Sequence, residues 1–102
     1  MSKSELDFTV TGRGEIELLA ESKDTAWIVV ISKGGNVRFL RNMKVVESFP
    51  TTPLTKRLVA ATEAILPEAV KYLDESWKQG RAWDTVEGRE SWWRMKKAVE
   101  SF

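Results

Sequence analysis

The sequence predicts an α+β domain: an antiparallel meander of about five strands over residues 1–50, then a proline-kinked helix and a short C-terminal helix over residues 51–102. Three observations carry that expectation. Apolar residues alternate with polar ones through the first half, the period of a half-buried strand. Through the second half they recur every three or four residues, the period of a helix. Glycine and proline fall where the patterns change. No linker or internal repeat divides the 102 residues, so a single domain, 1–102, is expected.

The elements follow in order. Leu6, Phe8 and Val10 alternate with Asp7 and Thr9, and Gly12-Arg13-Gly14 supplies a turn. Ile16 and Leu18 alternate with Glu15 and Glu17, and Glu21–Asp24 is a polar turn. Residues 25–32, TAWIVVIS, are apolar on both parities and rich in β-branched side chains, which marks a central strand buried on both faces. Such a strand asks for a cover on each face. One helix supplies the first, and either the C-terminal helix or a second copy of the chain must supply the other. Lys33-Gly34-Gly35-Asn36 is a hairpin signal, because glycine adopts positive φ freely. NVRFLR, an Arg41-Asn42-Met43 turn and KVVESF complete the meander.

Phe49-Pro50 ends the sheet. Thr52-Pro53 reads as an N-cap followed by proline at the first helical position. Leu54, Leu58, Ala61 and Ile65 share a helix face. Pro67 then kinks or restarts the helix, and Leu66, Val70, Leu73 and Trp77 carry the stripe on to Gly80. Asp84 is placed to cap the last helix, with Glu87 three residues on. Gly88 weakens that first turn and moves the expected start toward Arg89.

Composition narrows the function classes. The chain has no cysteine and no histidine, so disulfides, thiolate metal sites, a cysteine nucleophile and the commonest general base are excluded. The two glycine pairs fall in hairpins and lack the spacing of a phosphate loop. Asp84, Glu87 and Glu90 are three apart and could hold Mg²⁺ through oxygens, yet a first helical turn favours acids without any metal. We therefore expect no enzyme, cofactor or metal. MSKSELDF has no apolar segment of a signal peptide, and the apolar run 26–31 is far too short to span a bilayer, so a cytosolic protein without a membrane partner is expected.

Two surfaces are candidates for binding. Five tryptophans are present, and all but Trp27 lie in the last 26 residues. At 100° per residue, Trp92 joins an apolar stripe with Met95, Val99 and Phe102, whereas Trp93 turns into a charged sector. Trp83 and Trp93, with Arg89, Arg94, Lys96 and Lys97, are thus expected to bind a protein partner, tryptophan and arginine being the residues enriched at interface hot spots. The second surface is the basic hairpin 33–44. Its Lys33, Arg38, Arg41 and Lys44 could hold the phosphates of single-stranded nucleic acid, although strand alternation points Phe39 to the core rather than to a base. With a net charge of +1, bulk charge does not favour nucleic acid. The leading expectation is a small non-enzymatic interaction module, an inhibitor, adaptor or assembly subunit of the kind phages and plasmids encode, with self-association as a further expectation.

Overall fold

The strands pair antiparallel in chain order: β1 (Leu6–Val10), β2 (Ile16–Glu21), β3 (Ala26–Ser32), β4 (Asn36–Arg41) and β5 (Lys44–Val46). Helices α1 (Pro53–Gln79) and α2 (Val86–Glu100) follow, so the fold is α+β as expected. The computed structural model describes residues 6–11, 14–79 and 85–102, and of 76–79 only the backbone. Gly12, Arg13, Gly80, Trp83, Asp84 and the Trp77 side chain lie outside the described residues.

Register follows from the alternation. Phe8, Leu18, Val29, Phe39 and Val46 form one row across the sheet, and Leu6, Ala20, Trp27, Arg41 and Lys44 form the next. Their shared face carries the core with Ile16 and Ile31, and both helices pack on it.

Two hairpins need left-handed backbone. Gly34 and Gly35, in a short 3₁₀ turn between β3 and β4, have φ of 85° and 84°. A Cβ on Gly35 would also meet Val70 Cγ2 of α1 at 3.3 Å, so this turn lies close under the helix. Between β4 and β5, Asn42 and Met43 both have positive φ, the requirement of a two-residue type I′ turn. Asn42 also exchanges bonds with Ala26: its N–H donates to the Ala26 carbonyl and its Oδ1 accepts the Ala26 amide.

α1 starts as predicted. Thr52 Oγ1 accepts the Thr55 amide, and Pro53 occupies the first helical position. The buried Thr55 hydroxyl donates back to the Pro50 carbonyl, tying the helix start to the segment that leaves the sheet. The helix runs on through Pro67 to Gln79 and does not restart there. Pro67 lies on the exposed side with Glu63, whose carbonyl its missing N–H would have met, so water can take that acceptor.

α2 departs from expectation at its start. It begins at Val86, and Thr85 caps it by accepting the Gly88 amide at 2.9 Å. Gly88 is buried in the first turn and lines the space between the helices, so the residue that lowers helix propensity lies inside α2 rather than ahead of it.

The two-sided character of β3 meets an unequal cover. α2 packs beside β1 and α1 on the helical face, so it does not cover the other face. On that outer face Leu19, Ile28, Leu40 and Val45 form one cross-strand row. Ile28 and Val30 are only 7% and 5% exposed among their neighbours on the sheet, whereas Val45 is 67% exposed.

Candidate partner-binding site on the C-terminal helix

The inner side of α2 holds it down. Met95 and Val99 are buried, and Trp92, Ala98 and Phe102 pack on the core. The Trp92 ring meets Phe8 edge to face at 5.9 Å. Lys96 Nζ lies 5.6 Å from the centre of the Trp92 ring and pairs with Glu100 at 3.2 Å. Lys96, expected on the binding surface, is therefore half-buried over Trp92.

Trp93 faces the other way. It is 52% exposed and stands perpendicular to Trp92, ring centres 5.1 Å apart. Glu90, Arg94 and Lys97 share a shallow groove with it. Arg89 is exposed one turn earlier on α2. Of the six residues expected here, Trp93, Arg89, Arg94 and Lys97 come together on the outer surface, and Trp83 lies outside the described residues.

Arg94 is held in place. Its Nη2 meets Glu68 Oε2 of α1 at 2.9 Å, and the Ser91 hydroxyl donates to the same oxygen at 2.6 Å. These two hydrogen bonds, Arg94 first, hold the Glu68 carboxyl below its ordinary pKa. Glu68 and Arg94 are 26 residues apart, so no local pattern announces the pair.

The basic hairpin is divided. Arg38 lies on the outer sheet face and pairs with Glu15 at 3.0 Å. Arg41, on the helical side, places its guanidinium 5.5 Å from the Trp27 ring centre, and Lys44 is its cross-strand neighbour. Lys33 belongs to the turn beneath α1. Phe39 packs against Phe49 at 5.0 Å, on the core side as its parity predicts. Cations on two faces, with the aromatic turned inward, do not form one stacking platform.

Among the described residues no three acids gather as metal ligands would, and no helix is long and apolar enough to cross a membrane. No protein-family model, curated protein or solved structure matches the chain.

Proposed function

We propose that this chain is a small, non-enzymatic protein-interaction module, an inhibitor, adaptor or assembly subunit, that binds a protein partner through the outer side of α2. The observation that carries the reading is Trp93, half exposed on a helix whose opposite side is anchored in the core. A rigid, backed indole loses little side-chain entropy on binding, and Arg89, Arg94 and Lys97 surround it with donors. The cytosol is the setting this reading assumes.

Affinity purification from the source cell, with mass measurement of what co-purifies, tests it. The wild-type chain should retain a stoichiometric protein, and Trp93→Ala should weaken that retention about 30-fold, the effect of a hot-spot residue of about 2 kcal/mol. Retention unchanged in the variant, or nucleic acid as the only companion, would refute it.

A second reading, self-association, is favoured by the outer sheet face, where α1 and α2, the helices among the described residues, do not pack over Leu19, Ile28, Leu40 and Val45. Sedimentation of the wild type and of Val45→Glu tests it, and a monomer at every concentration rejects it.

A further inference from the structure

Between α1 and α2 lies a cleft of about 530 Å³, separate from the exposed indole of Trp93. Tyr72 of α1 lines it and is 4% exposed. Its hydroxyl makes no hydrogen bond among the described residues, and burial alone pushes its pKa up. No buried side-chain oxygen among the described residues lacks a partner, so the phenol oxygen is the part of Tyr72 that the cleft leaves open. With the ring buried and the oxygen open to the cleft, its lone pairs are available to a donor that enters there.

The charges around that oxygen are unbalanced. Among the described residues four acids line the cleft, Glu68, Glu75, Glu87 and Glu90, against two bases, Lys71 and Arg94. Arg94 is committed to Glu68. Glu90 and Arg94 also line the groove beside Trp93, so a chain lying on Trp93 has the cleft next to it.

From these positions we propose that the cleft receives a cationic side chain, lysine or arginine, of the partner. The inference rests on the interaction reading above and names the chemistry of the partner's contact. An ammonium or guanidinium donates to the Tyr72 oxygen, which has lone pairs to accept it, and Glu87 and Glu90 supply opposite charge. An anion would face the acidic excess, and an apolar group would leave the phenol unpaired.

Titration of the full chain with N-acetyl-arginine amide and N-acetyl-lysine amide, followed by amide chemical shifts, tests this without the partner. N-acetyl-norleucine amide and N-acetyl-glutamate amide are the controls. A cationic amide should give saturable shifts centred on Tyr72, Glu90 and Ser91, and the controls should not. Glu87→Gln with Glu90→Gln should weaken binding about threefold or more, as expected for partly exposed ion pairs. Tyr72→Phe should weaken it about tenfold through the lost bond to a charged donor, with the fold retained because the hydroxyl makes no hydrogen bond among the described residues. No saturable shift with either cation, equal shifts with the controls, or binding unchanged in the Glu87/Glu90 variant would overturn the proposal. The titration uses neither the partner nor Trp93, so its failure is distinct from a failure of the Trp93 capture experiment.

Discussion

Replacing Trp93 with alanine should cost the fold far less than replacing its neighbour Trp92. Burying a large apolar side chain completely contributes about 3 kcal/mol, and Trp93 is 52% exposed, so its share is about 1.5 kcal/mol. Alanine is the better helix former and returns about 0.5 kcal/mol, leaving a net cost near 1 kcal/mol. Trp92 packs on the core, meets Phe8 edge on and carries Lys96 across its ring. Its truncation leaves a void beneath α2 and should cost about 3 kcal/mol, the lower end for large aromatics. Urea unfolding followed by far-ultraviolet circular dichroism, which does not depend on the lost indole, would separate the two. The difference of about 2 kcal/mol corresponds to about 1 M in midpoint at the slopes usual for small domains. A Trp93→Ala midpoint as low as that of Trp92→Ala would show that Trp93 belongs to the core and would refute both the exposure argument and the partner role.

Three further outcomes are expected. Gly34→Ala and Gly35→Ala both force a Cβ into left-handed backbone at about 1–2 kcal/mol, but only Gly35→Ala also presses on Val70, so it should be the less stable by thermal melting. Thr85→Ala removes the cap of α2 and should lower stability by about 1 kcal/mol, read from the denaturation midpoint. The Glu68 carboxyl titrates below its ordinary value when folded, so its stabilising contribution is whole above the unfolded glutamate pKa, about 4.3, and is lost as pH falls through the lower folded value. Glu68→Gln should accordingly flatten the acid limb of the stability curve, and an unchanged limb would place the acid sensitivity elsewhere.

Period and punctuation were enough for the elements. Alternation at Leu6–Val10 and Ile16–Leu18, the doubly apolar 26–31 run and the Thr52-Pro53 start are local signals, because a strand or helix must turn its apolar side to one face. The helical phase that separates Trp92 from Trp93 is local too, and it agrees with where each ring lies. Asp84 as the cap was the weaker inference, since two adjacent capping residues differ in sequence by one step and Thr85 is the one that reaches the Gly88 amide.

Contacts between distant segments were decided elsewhere. Nothing near Arg94 in the chain points to Glu68, and nothing near Tyr72 foretells that its hydroxyl opens to a cleft. Arg38 and Arg41 read as one basic run, yet the sheet sends them to opposite faces, one to Glu15 and one to Trp27. The strands, the helices and the outward phase of Trp93 are legible in the chain alone, because they depend on repeat lengths of two and 3.6 residues. That both described helices cover the same sheet face, away from the outer face of β3, and open a cleft between α1 and α2 follows from packing, which joins residues that no local period relates.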